Sequence, residues 1–115
     1  MPLEIQCSFK DKDNKKIIWF KKGYEEVIID HQEVVDDFQN VKMAIENPHT
    51  ITKDVDYKNR RCHYLFFCRK GSNTDRTMKV VIRKKLHFFR DVVTAYYTNN
   101  IKQGEQTIWT RLANN

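Results

Sequence analysis

The run Arg90–Thr98 (RDVVTAYYT) restricts the fold of this chain more than any other stretch. Its β-branched and aromatic residues alternate, as in a half-buried strand. At a period of two, Val92, Thr94, Tyr96 and Thr98 share one face. Asp91, Val93, Ala95 and Tyr97 share the other. Thr77–Lys84 (TMKVVIRK) alternates too, setting Met78, Val80 and Ile82 against Lys79, Val81 and Arg83. Two such strands need a sheet with one covered face.

The neighbouring segments extend that sheet. Cys62–Arg69 (CHYLFFCR) is apolar on both faces and reads as a central strand. Ile51–Asp56 reads as a further short strand, and Thr107–Arg111 as a last short strand or tail. Turn signals fall at Lys58–Arg61, Lys70–Asp75 and Ile101–Glu105, and Leu86–Phe89 makes another connection. Upstream, Leu3–Phe9 alternates as a short strand, Lys10–Lys16 is a charged turn, and Ile17–Phe20 is a strand or the lead-in to a helix. Lys22–Asp30 reads as a short helix. Glu33–Asn47 reads as a longer one, with Val34, Phe38, Val41 and Ile45 on one side and Asn47-Pro48 as its stop. The expectation is an α+β domain over 1–115, with two N-terminal helices packed on an antiparallel sheet of about four strands. Its second face would be partly open and lined by Lys79, Arg83, Thr94, Tyr96 and Tyr64.

Charge is segregated along the chain. Tyr24–Asp56 carries nine acids and two bases, whereas Tyr57–Arg90 carries eleven bases and one acid. A basic half favours a polyanion such as nucleic acid. Lys79, Arg83, Lys84, Lys85 and Arg90 make a positive edge, and Trp109 and the tyrosines can stack on bases. No apolar run is long enough to span a bilayer and the first residues lack a signal-peptide layout, so no membrane partner is expected. Cys7, Cys62 and Cys68 read as buried thiols in a reducing cytoplasm. No metal-ligand spacing, P-loop or dinucleotide fingerprint is present, so no cofactor is expected.

Metal-free RNA cleavage needs a proton carrier, an acid for the leaving oxygen and a cation for the phosphate. His31, at the junction of the two helices, is the leading proton carrier. His63 reads as a partly buried structural residue, and His49 and His87 as surface residues in connections. Lys79 would hold the phosphate and Thr94 and Tyr96 would orient it. Tyr64, Arg83, Lys84, Arg90 and Thr98 would bind the RNA.

In order and spacing, His31-Gln32-Glu33, Ile45-Glu46-Asn47-Pro48, Tyr64, Met78-Lys79-Val80-Val81, Val92-Val93-Thr94-Ala95-Tyr96 and Ile101-Lys102-Gln103-Gly104 look like a known group. Over residues 22 to 109 the chain resembles the small phage- and toxin-associated nucleases of the barnase–EndoU–colicin–RelE-like ribonuclease superfold. It departs from the pattern at Gln32, where a proline commonly follows the His. The resemblance implies two helices on a four-stranded antiparallel sheet and metal-independent cleavage of tRNA or mRNA. It places the site at His31, Lys79 and Thr94, aided by Tyr64 and Tyr96, and suggests an immunity or antitoxin protein as partner. A nucleic-acid-binding module without catalysis and a protein-interaction domain are the alternatives.

Overall fold

Strands form at all seven segments that read as strands or possible strands, and more of them join the sheet than expected. The computed structural model describes residues 3–69, 76–85 and 89–111. The Lys70–Asp75 turn and His87 lie outside the described residues, as does most of the Leu86–Phe89 connection. The elements run β1 (Ile5–Lys10), β2 (Lys16–Phe20), α1 (Lys21–Asp30), α2 (Glu33–Asp36), α3 (Phe38–Glu46), β3 (Thr50–Lys53), β4 (Arg60–Leu65), β5 (Thr77–Lys85), β6 (Phe89–Thr98) and β7 (Gln106–Thr110). All seven strands join one sheet in the order β1-β2-β6-β5-β4-β3-β7. Pairing is antiparallel except between β2 and β6, which run parallel with Ile17 opposite Arg90 and Ile18 opposite Asp91.

This corrects the expected fold. The sheet is mixed rather than antiparallel, and has seven strands instead of about four. The N-terminal hairpin β1–β2 docks on β6, and the tail segment β7 extends the other edge through β3. Those pairings are non-local, so no short window of sequence encodes them. The expected helix Glu33–Asn47 is also two helices. Asp37 leaves helical geometry at φ −112°, ψ 36°, and separates α2 from α3. Its carboxylate accepts a hydrogen bond from the Tyr97 hydroxyl at 2.9 Å, and Asn40 donates to the same hydroxyl at 2.8 Å. β4 ends at Leu65, short of the expected Arg69, because Phe67 takes φ 50°, a left-handed conformation no strand can hold.

The helices lie on one face of the sheet. Val34, Val41, Ala44 and Ile45 pack there against Ile17, Trp19, Leu65, Met78, Val80, Ile82, Val92, Ala95 and Tyr97. One position in that set breaks the simple alternation of β6. Val81 pairs with Thr94 but Ile82 pairs with Val92, so Val93 is an extra, bulged residue. The bulge turns Val92 onto the helix side with Ala95 and Tyr97, while Val93 joins Cys62, Tyr64 and Val81 on the opposite side. Two further irregularities, between Ile5 and Cys7 in β1 and between Ile51 and Thr52 in the β3–β7 pairing, occur near the sheet's edges. Bulges add twist and bend. The sheet curls far enough that Lys12, between β1 and β2, reaches Trp109 on β7, its Nζ 4.6 Å from the ring centre.

Candidate functional site

The curled sheet leaves a hollow of about 430 Å³ on its helix side. Ile17, Ile51, His63 and Ile82 are among the residues that line it, and the β1–β2 turn and Trp109 contribute to its wall. At this end of the face four neighbouring strands each exchange a core side chain for a cation. Ile51 gives way to Lys53 on β3, His63 to Arg61 on β4, Ile82 to Lys84 on β5, and Val92 to Arg90 on β6. Lys12 and Lys15 come from the β1–β2 turn and Lys58 from the turn before β4.

Seven Lys and Arg side chains therefore line the hollow, against Asp11 and Asp13. Both acids are already engaged. Asp11 accepts the backbone N–H groups of Asp13 and Lys15, and Asp13 pairs with Lys12 at 3.0 Å. Among the described residues no carboxylate lies within ion-pair distance of Lys15, Lys53, Lys58, Arg61, Lys84 or Arg90. Register sets Lys53 directly opposite Arg61, and Lys84 directly opposite Arg90. Like charges in such positions destabilise a sheet.

His63 is buried, at 4% exposure, where these cations begin. Burial holds its imidazole down to about 4, against the opposing pull of the Ala44 carbonyl. Its Nδ1 lies 3.2 Å from that oxygen. A carbonyl can only accept, so Nδ1 donates and Nε2 of the neutral ring keeps its lone pair.

On the opposite face Lys79 is buried rather than open. Its ammonium pairs at 2.8 Å with Glu105, and the side chains are 5% and 0% exposed. The other Glu105 oxygen accepts the Thr52 and Tyr64 hydroxyls, each at 2.6 Å. Burial alone would raise the Glu105 carboxyl, but these donors hold it below its ordinary value. Lys79 is pushed the other way. Burial would lower it, yet Glu105 and Tyr64 hold it above its ordinary value. The Ile101–Glu105 segment lies over the cluster, with Ile101 packed on it and Gly104 supplying the positive φ of 93° that its turn requires. Arg83 is likewise committed, forking onto Asp91 at 2.7 and 3.2 Å.

The sequence-derived candidates thus divide between the two faces. Lys84 and Arg90 belong to the hollow, whereas Lys79 and Arg83 lie opposite and are neutralised, so the expected single positive edge does not form. Tyr64 is fully buried, with its hydroxyl on Glu105. Thr94 and Thr98 are half-buried on β6, and the Thr98 hydroxyl donates to the Asn100 carbonyl. The row Val92, Thr94, Tyr96, Thr98 loses Val92 to the bulge.

His31 closes α1, half-exposed, and stacks on Tyr96 with ring centres 5.5 Å apart. The Lys79 ammonium lies 5.8 Å from the Tyr96 ring centre, so His31, Tyr96 and Lys79 are neighbours. His49 is no isolated surface residue. It accepts the Phe66 backbone N–H at Nδ1 and stacks on the Phe66 ring. Cys7, Cys62 and Cys68 are free thiols, and burial pushes Cys62 up to about 12.

Strand register brings Lys53 and Arg61 to the site, and the curl of the sheet brings the β1–β2 turn with Lys12 and Lys15 to Trp109; none of these residues, nor Lys58, was among the site residues expected from the sequence. Their local signals are few: Lys53 and Arg61 stand two positions beyond core residues on their strands, and Trp109 reads as a ring for stacking. Among the described residues no group of three or more His, Cys, Asp or Glu side chains is placed to hold a metal, and no helix is long and apolar enough to cross a membrane. Comparison with protein-family models, curated proteins and solved structures finds no match.

Proposed function

We propose that this chain binds RNA in the cationic hollow. The reading is carried by Lys53 facing Arg61 and Lys84 facing Arg90 with no carboxylate among the described residues in ion-pair reach. Such an arrangement costs stability until an anion sits across it. A phosphate backbone carries charge at the regular intervals that several strand-end cations can follow. Trp109 on the wall adds a ring on which a base can stack.

The test is fluorescence anisotropy with a labelled RNA oligonucleotide across a potassium chloride series. Affinity should fall steeply with salt. Arg61→Ala and Lys84→Ala should each reduce the slope of log K against log salt by roughly 0.7–0.9. Lys42→Ala, which removes an exposed base on α3 away from the hollow, should leave the slope unchanged. Absence of salt-dependent binding, or an equal effect of Lys42→Ala, would refute the reading.

Metal-independent RNA cleavage is a second reading, favoured by the cluster of His31, Tyr96 and Lys79. In it His31 moves the protons of transesterification, while Lys79, already paired with Glu105, supports Tyr96 from beneath. Stoichiometric protein is incubated with total RNA in EDTA, comparing the parent with His31→Ala. Intact RNA with both removes this reading and leaves the binding reading standing.

A further inference from the structure

We infer that the hollow takes RNA as a single strand and stacks one of its bases on Trp109, in the place now held by the Lys12 ammonium. The inference rests on the RNA-binding reading above and names the form of RNA.

Lys12 and Trp109 come from opposite ends of the strand order, yet the Lys12 ammonium lies 4.6 Å from the indole centre. Their contact bridges the hollow from the β1–β2 turn to β7. A volume of about 430 Å³ between these walls admits a short piece of one strand. A duplex cannot use it, because its bases are paired and stacked and offer no free π-face. The Trp109 ring lies at the wall, half-buried, with a cation already against it. A base brings a larger contact to such a ring than an ammonium does. Lys12, once displaced, remains beside Lys15 and the other cations and can turn to a phosphate.

His63 adds a reason for RNA over DNA. It lines the hollow, and its hydrogen bond to Ala44 fixes the tautomer that leaves Nε2 as an acceptor. A ribose 2′-hydroxyl is a donor that DNA lacks.

Trp19 is sealed in the core at 0% exposure, so ligand-induced changes in tryptophan emission report on Trp109. The experiment titrates the full chain with a single-stranded RNA oligonucleotide, the same sequence as DNA, and an RNA duplex of equal length. Single-stranded RNA should quench the emission and bind more tightly than either competitor. Trp109→Leu should weaken single-strand binding about 5- to 100-fold and leave duplex affinity unchanged. Trp109→Phe, which keeps a stacking ring, should restore most of the loss. Should Trp109→Leu fail to fold by circular dichroism, Trp109→Phe and the emission of the parent decide the matter. Salt-dependent binding that treats duplex and single strand alike, without quenching, overturns the stacking inference and leaves the cationic hollow as a binding surface. No binding of any of the three overturns both.

Discussion

Glu105→Gln should destabilise this protein by about 3–5 kcal/mol, although the side chain keeps its size and shape. The Glu105 carboxylate is wholly enclosed and holds three donors: Lys79 at 2.8 Å and the Thr52 and Tyr64 hydroxyls at 2.6 Å. An amide can still accept from the hydroxyls through its oxygen. Its NH₂ then faces the Lys79 ammonium, which is 5% exposed and left with its charge uncompensated. Lys79→Met leaves the reverse, a buried carboxylate without its cation, and should cost a similar amount. The double variant Lys79→Met/Glu105→Gln removes both charges and keeps the acceptor oxygen, so it should lose less than either single variant. Against a total stability of about 5–15 kcal/mol for a domain of ordinary size, each single change is a large fraction.

Urea titration followed by the emission of buried Trp19 gives the three free-energy differences. The pH dependence adds a check of sign. Glu105 is held below its ordinary value, so its contribution is complete above the ordinary carboxylate range and fades as pH falls through the lowered one. Lys79 is held above its ordinary value, so its contribution is complete below about pH 10.4 and fades at higher pH. Single-variant losses under about 1 kcal/mol, or a double variant whose loss equals the sum of the singles, would show that the ammonium reaches water and that the pair is not a buried unit. The result also bears on function, because lost activity in a Lys79 variant is then read against its lost stability.

Two other outcomes follow from buried groups. His63 is held down to about 4, below the ordinary value of about 6.5, so the unfolded chain binds its proton first and stability falls as pH drops through that window. The shift amounts to about 3 kcal/mol by pH 4, and the stability gap between the parent and His63→Leu should move by that order between pH 7 and pH 4, with an unchanged gap refuting it. Cys62, buried and pushed up to about 12, should resist iodoacetamide at pH 8 in the native protein and react fully in urea, as read by peptide mass spectrometry; rapid native labelling would show the strand face to be open.

The local elements were legible because their signals are local. Period-two alternation marks β5 and β6, and the stripe at Val34, Val41 and Ile45 marks the helical region to within its break. The break itself has a distant cause, since Asp37 and Asn40 turn toward Tyr97, about sixty residues downstream. The bulge at Val93 left no glycine to announce it, and it reassigns Val92 to the core. Lys79 reads as a free cation until the Ile101–Glu105 turn brings a carboxylate onto it. Charge along the chain pointed to a polyanion, but its arrangement depended on which face each strand end presents. Lys84 and Arg83 are adjacent in sequence and end on opposite sides of the sheet.

The parallel pairing of Ile17 with Arg90 sets a timetable for synthesis. On the ribosome the β1–β2 hairpin is made before β6, and the strand that will shield its inner edge emerges some seventy residues later. Through that interval β2 offers unpaired backbone groups and the apolar Ile17 and Trp19 to any neighbour, including another nascent copy. The lysines at 10, 12, 15, 16, 21 and 22 outnumber Glu4, Asp11 and Asp13 there, so the hairpin carries a net positive charge. Mutual repulsion between emerging copies then guards the segment until its own partner arrives.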